Sequence, residues 1–359
     1  MRRKLAQKCE LHGEAVSSPL LSEGHQVKAA RIHEYGGPEV FVLEEIERPN
    51  VGAHDVLIKV CAAAVNPVDW KIRSGTQRAI VRLALPAVLG MDVSGIVEEV
   101  GADVTEFAVG DEVYGSPHHK RQGGYAEYVA VHAAELARKP ANLTHAQAAS
   151  IPLVGLTSWE CLVVKTTVKP GDKVLIHAGA GGVGSFAIQL AKHLGAQVAT
   201  TCSTRNVDFV RDLGADVVVD YTAQAFDEVL SGYDIVLDAM GGDIKQRSRK
   251  VLRRGGTLVT INTGLPAAVR RWGAHLGVLA VGLNLLGFAI GSRLRYGVSS
   301  KVAVRRADGG LLAQISELVE QGAIAPVVGP VFSLDQIADA HRQSETGRTR
   351  GKIVVDVAG

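Results

Sequence analysis

The sequence predicts an α/β protein of two domains, a barrel-like all-β part joined to a doubly wound parallel sheet. Three observations predict it. At 359 residues the chain is longer than a single hydrophobic core usually serves. Its first third reads as short β-type runs broken by Gly and Pro. Its middle opens with a strand, a glycine-rich turn and a helix, after which strands and helix-length segments alternate.

Composition agrees with a folded chain, since 47% apolar and 21% charged residues are ordinary for a globular protein. The 40 glycines against 5% aromatics suit a sheet protein with tight turns and close backbone approaches to a phosphorylated ligand. Net charge is +2 with the two signs mixed along the chain, which offers nucleic acid no broad basic face and nominates no macromolecular partner. Cys9, Cys61, Cys161 and Cys202 lie far apart, with no pair at structural-zinc spacing. A reducing compartment, the cytoplasm, fits them.

Residues 1–26 begin basic at Arg2, Arg3, Lys4 and Lys8 and lack the apolar stretch of a secretory signal, so they read as a flexible tail. A transit peptide is the alternative, against which Glu10, Glu14 and Glu23 dilute the acid-poor pattern. From 27 to 131, the runs 56–60, 95–100 and 125–129 have strand character. Thr144 caps a helix over Gln147, and Pro152 and Gly155 interrupt an apolar pattern that resumes at 157–164. Strands follow at 173–177, 197–201, 217–219, 235–238 and 257–261, with helices at 184–194, 207–213 and 226–230. Such alternation implies right-handed crossovers into a parallel sheet covered on both faces. A helix at 311–321, an extended run at 327–332, a helix at 336–344 and a strand at 352–357 close the chain.

The strand at 173–177 runs into Ala178-Gly179-Ala180-Gly181-Gly182-Val183-Gly184 and then into a helix. Glycine lets the backbone approach a pyrophosphate, whose charge the free N–H groups and dipole of the helix start stabilise. Ala180, Gly181, Gly182, Val183 and Gly184 are therefore the expected dinucleotide seat. NAD-specific folds place an Asp or Glu at the end of the next strand. Here that strand ends in Ser203, Thr204 and Arg205, which can donate to a 2′-phosphate, so NADPH suits the position better than NADH.

The segments 66–75 (NPVDWKIRSG), 89–95 (LGMDVSG), 110–115 (GDEVYG), 178–184 (AGAGGVG) and 213–216 (LGAD) resemble the quinone oxidoreductases and enoyl reductases of the zinc-independent medium-chain dehydrogenase/reductase family. The resemblance covers about 27–357. It implies a GroES-like catalytic domain at 27–152 completed by 325–359, and a Rossmann domain at 153–324, with the active site in the cleft between them. Zinc alcohol dehydrogenases of the same superfamily carry a His-Glu pair where this chain has Met91 and Asp92, and a Cys near Asn66. Without those ligands no metal is expected. The adjacent His118 and His119 read as surface residues.

A metal-free site polarises a carbonyl by hydrogen bonds while nicotinamide C4 delivers hydride. Asn66 borders the nicotinamide in the family and can donate to an acceptor oxygen; the alternative is a turn-capping Asn. Asp69 and Lys71 follow, with a structural ion pair or turn favoured for Asp69. Tyr35 and Tyr114 either line the pocket or pack with satisfied hydroxyls. The resemblance places Thr157 near the nicotinamide, Tyr221 against the adenosine part and Lys352 near the cofactor phosphates.

From Trp272 to Ser292 no charge appears, while Arg270 and Arg271 precede the run and Arg293 and Arg295 follow it. Length alone permits a membrane span. A crossover between sheet strands must return to the sheet, which favours an internal crossover bordering an apolar substrate pocket. A subunit contact, as in a homodimer, or a peripheral membrane contact through 272–292 is the second reading. The function expected is NADPH-dependent hydride transfer to a small lipophilic acceptor, a quinone or α,β-unsaturated carbonyl. The alternatives are reduction of a saturated ketone or aldehyde, and an NADPH-binding, membrane-associated interaction or sensor protein with little turnover.

Overall fold

The computed structural model describes residues 26–358, so the tail reading for 1–25 lies outside the described residues. The β-rich part is built on Asp55–Val65, an eleven-residue strand whose Val, Leu, Ile and Ala side chains are almost all buried. Its sheet runs in the order Val328–Ser333, Lys352–Asp356, Asp55–Val65, Val93–Val100, Glu112–Gly115, Leu136–Arg138, with Tyr128–His132 also paired to Asp55–Val65. Two strands from the end of the chain thus complete the sheet begun near its start. A smaller sheet orders Phe41–Glu47, Gln26–Ile32 and Ala87–Val88.

The second sheet is parallel throughout, in the order Val217–Asp220, Gln197–Cys202, Lys173–Ile176, Tyr233–Asp238, Leu252–Thr260, Ser299–Val302. Its first three strands run outward in one direction and its last three in the other, the Rossmann order, with the switch between Lys173–Ile176 and Tyr233–Asp238. The apolar runs Val174, Leu175 and Ile176, and Val236 and Leu237, are fully buried because helices cover both faces. The α/β fold class expected from the sequence is therefore the observed one.

Three local readings change. Pro152 opens the helix Pro152–Trp159 instead of interrupting one, since a first-turn position has no intrahelical N–H bond to lose. Helices Pro67–Arg73 and Gly242–Val251 have no counterpart among the expected elements, the second because a polar ten-residue helix carries little apolar periodicity. The third change concerns the apolar run. It forms a helix, Leu265–Gly291, broken at Gly273 (φ 76°), and it is not internal. Only 11% of its most apolar stretch is buried. Neighbouring parallel strands need a crossover of about a dozen residues, and the surplus length here lies on the surface.

Candidate active site

The turn after Lys173–Ile176 is shaped by close backbone contact. A Cβ on Gly184 would lie 2.2 Å from the Ala178 carbonyl oxygen, and one on Gly179 would lie 2.1 Å from Thr200 Oγ1. Only glycine fits there. Gly181 precedes the helix Gly182–His193 and no side chain caps that end, which leaves the first-turn N–H groups of Gly182, Val183 and Gly184 for an anion. Ala180 is tied by its carbonyl to the Gly351 N–H at 2.9 Å, joining this turn to the C-terminal strand.

At the end of Gln197–Cys202, Arg205 is exposed and donates to the Arg348 carbonyl at 2.8 Å. Arg350 donates to Asn206 Oδ1 and to the Arg205 carbonyl, both at 3.2 Å, and stacks over Phe209. Ser203 Oγ accepts from Asn206 Nδ2, and Thr204 pairs with Thr222. The Arg205 and Arg350 guanidinium groups thus tie the segments 203–206 and 348–350 together through main-chain carbonyls. Arg350 was missed in the sequence because it lies more than a hundred residues further on. Tyr221 follows Val217–Asp220, its ring exposed and its N–H bonded to the Cys202 carbonyl.

The β-rich part contributes a buried polar cluster. Lys352 Nζ donates to Asp92 Oδ2 (3.0 Å), to the Val65 carbonyl (3.2 Å) and to Asn66 Oδ1, so its three protons are all engaged. Asp92 accepts further bonds from Asn66 Nδ2 (2.8 Å) and the Leu153 N–H (2.7 Å). The resemblance implies a place for Lys352 near the cofactor phosphates; in the fold its ammonium is held by these three partners. Its stem packs where a Cβ on Gly182 would lie, 2.9 Å from Cδ, and so ties the glycine turn to this cluster. The second Asn66 amide N–H has no partner among the described residues, and the residue is 1% exposed.

Asp69 Oδ2 accepts from the Asn66 N–H and the Tyr125 hydroxyl, both at 2.8 Å, and Oδ1 is buried without a partner among the described residues. Arg73 can only donate, so His341 Nδ1 accepts from it at 3.1 Å, which puts the imidazole proton on Nε2 toward the Tyr125 oxygen. Burial, followed by the Arg73 charge, holds His341 well below its ordinary 6.5. Burial also pushes the Asp69 carboxyl from 3.8 up to about 7.

The folded chain then holds a proton that the unfolded chain releases near 3.8, so stability falls as the pH rises from about 4 to 7 and this loss is complete above 7. Asp69→Asn keeps the neutral form. The variant is expected to melt close to the wild type at about pH 4, somewhat above it at about pH 5 and several degrees above it at about pH 8, by calorimetry at the three values.

Lys71 is half-buried over Trp70, and burial lowers its pKa. The Tyr35 hydroxyl accepts from the Leu83 N–H at 3.0 Å, and Arg78 stacks on its ring. The Thr157 hydroxyl is spent on the Leu153 carbonyl, and that of Tyr114 on the Leu312 carbonyl. Asn66, Asp69 and Lys352 are thus brought together, while Tyr35, Lys71 and Thr157 stand apart from their cluster.

One residue that the sequence reading did not single out bridges the two parts. Arg305, just after Ser299–Val302, donates through Nη1 to the Ser116 carbonyl (2.9 Å) and Oγ (2.8 Å), and through Nη2 to the Pro117 carbonyl (3.3 Å). Nη2 also lies 3.9 Å from Met91 Sδ, a weak acceptor that an oxygen would displace. Asn66, Met91 and Asp92 do not fit a zinc ion. They offer neither thiolate nor imidazole, the Asp92 oxygens are already taken, and the cations Lys352 and Arg305 stand against a dication.

The sequence matches the alcohol dehydrogenase GroES-like domain over residues 52–141 and the zinc-binding dehydrogenase family over 213–355. It is 37% identical to the mouse (Mus musculus) NAD(P)H oxidoreductase RTN4IP1, mitochondrial, over 91% of this chain and 88% of that protein. It is 38% identical to the Arabidopsis thaliana NADPH-dependent alkenal/one oxidoreductase, chloroplastic, over 92% of this chain and 79% of that one. The quinone oxidoreductase of Coxiella burnetii superposes with a TM-score of 0.81 at 33% identity, covering 92% of this chain and 99% of its own. The mitochondrial relatives overturn the cytoplasmic expectation. Well-separated cysteines show only that no disulfide framework is needed, which does not tell one reducing compartment from another.

Proposed function

The chain belongs to the medium-chain dehydrogenase/reductase superfamily, with the NAD(P)H oxidoreductases of its quinone oxidoreductase-like branch, and on that premise we propose that it reduces a conjugated carbonyl, an enone or a quinone, with NADPH and without zinc. Relatives named alkenal/one oxidoreductase and 2-methylene-furan-3-one reductase support the enone as the first choice. The observation that carries the proposal is Arg305, a fixed cation held at the junction of the two parts beside Met91.

When bound, NADPH supplies the hydride. The N–H groups of Gly182, Val183 and Gly184 would seat its pyrophosphate, and Arg205 and Arg350 would hold the 2′-phosphate with Ser203 and Thr204. Tyr221 offers its exposed ring to the adenine. Arg305 and the spare Asn66 amide N–H would donate to the acceptor oxygen, on which negative charge grows in such a reduction. Lys352 and Asp92 hold Asn66 in the orientation that this donation requires. Solvent returns the proton at the α-carbon, so the double bond is saturated and the carbonyl is kept.

The cofactor half is tested by initial rates with NADPH and NADH. A charge-assisted hydrogen bond is worth about 1.5–3 kcal/mol, so Arg205→Ala with Arg350→Ala is expected to raise KM for NADPH by roughly 100-fold or more, leaving kcat and the NADH parameters nearly unchanged. An equal loss with both cofactors would place these arginines elsewhere in the function.

A further inference from the structure

We propose that the exposed helix after the break at Gly273, residues 274–291, docks the protein, lying flat, on an anionic lipid bilayer surface. After the break at Gly273, Leu276, Leu279, Leu283, Leu286 and Ile290 recur three and four residues apart as one stripe, with Trp272 just before the break, and each of the six is about half or more exposed, Leu283 at 61%. Phe288, on the other side, is buried against the sheet, and Gly277 packs closely on the backbone of Ala268 and Val269, so the chain folds back at the break. Between Trp272 and Ile290 the only polar side chains are His275 and Asn284. An apolar stripe of this length left bare on a soluble fold marks a contact surface.

The charges identify what covers it. Arg270, Arg271, Arg293 and Arg295 flank the stripe, all exposed, and no acid pairs with them among the described residues. Between Asp243 and Asp308 the chain carries no Asp or Glu, and every charged residue is Lys or Arg. The net charge of +2 averages this segregation away, and the reading of evenly mixed signs is corrected accordingly. An apolar face edged by arginines, with Trp272 at one end under the Arg271 guanidinium, matches lipid tails and phosphates together.

A second copy of the chain matches it poorly. Pairing the face with itself brings the arginines at 270, 271, 293 and 295 of two copies together and supplies no acid. A span is opposed by topology. The helix joins two neighbouring parallel strands whose residues Thr257 and Ser299 are paired, so both of its ends stay on one side.

The test is flotation of the full chain with vesicles of phosphatidylcholine alone and of phosphatidylcholine with about a third phosphatidylglycerol, at low and high salt. Binding is expected on the anionic vesicles, at least about tenfold weaker on neutral ones, and weakened by salt. Arg270→Glu, Arg271→Glu, Arg293→Glu and Arg295→Glu together should reduce it to the neutral-vesicle level, and Leu279→Glu, Leu283→Glu and Leu286→Glu together should abolish it. Unchanged NADPH titrations confirm that both variants are folded. Wild-type protein left in the aqueous phase would overturn the proposal, as would binding indifferent to both sets. A dimer that the leucine set dissolves without any vesicle binding would assign the face to a second copy, and resistance to alkaline carbonate extraction would assign a span. Turnover of a water-soluble enone is independent of all these outcomes, so the docking and the reductase reading fail separately.

Discussion

Lys352→Met is expected to destabilise the protein by about 3–5 kcal/mol, because it leaves a carboxylate buried and unpaired. Lys352 is 5% exposed and Asp92 fully buried, and the pair stands 3.0 Å apart. Methionine keeps the apolar stem that packs on Gly182 and removes only the ammonium, so the loss reports the charge and not the packing. Changing Asp92→Asn in the same chain removes the stranded charge and should return part of the stability. Thermal unfolding of the two single variants and the double variant measures this coupling. Were the ammonium a cofactor-phosphate ligand, as the family resemblance implies, Lys352→Met would instead raise KM for NADPH at nearly constant stability.

Arg305→Gln is expected to lower kcat/KM for an enone by roughly 100- to 1,000-fold, the usual effect of removing one donor to a developing oxyanion. The fall should lie mainly in kcat, with KM for NADPH little changed, since the donor acts on charge that appears only in the transition state. Glutamine keeps the apolar stem and a polar amide at the junction of the two parts but ends short of the guanidinium nitrogens, so it removes the charge and the donors together. Arg305→Lys should recover part of the rate, because it restores the charge without the guanidinium fork that now spans Ser116 and Pro117. A loss of stability with normal turnover per folded molecule would make Arg305 a structural clamp.

What could be read in the sequence was what is local. The glycine turn at 178–184 lies between a strand and a helix that are contiguous with it, so order alone identifies it and the covered parallel sheet behind it. Asn66 and Asp69 were within reach for the same reason, three residues apart in one helix start. Lys352 and Asp92 are 260 positions apart, and nothing near either residue announces an ion pair. Arg350 and Arg305 belong to the same class, charged residues on connecting segments whose roles come from what the fold sets against them. The apolar run failed for a different reason. Hydropathy reports that a helix seeks an apolar neighbour but not whether the fold supplies one, and here most of that face is left bare.

The most direct test of the central claim is a single-turnover reaction of the chelator-treated protein with NADPH deuterated at nicotinamide C4 and an alkenone, followed by mass and magnetic resonance analysis of the product. The account predicts a saturated ketone carrying deuterium at the β-carbon, formed at a rate that chelation leaves unchanged. An allylic alcohol with deuterium on the carbonyl carbon, or a rate restored only by added zinc, would contradict it.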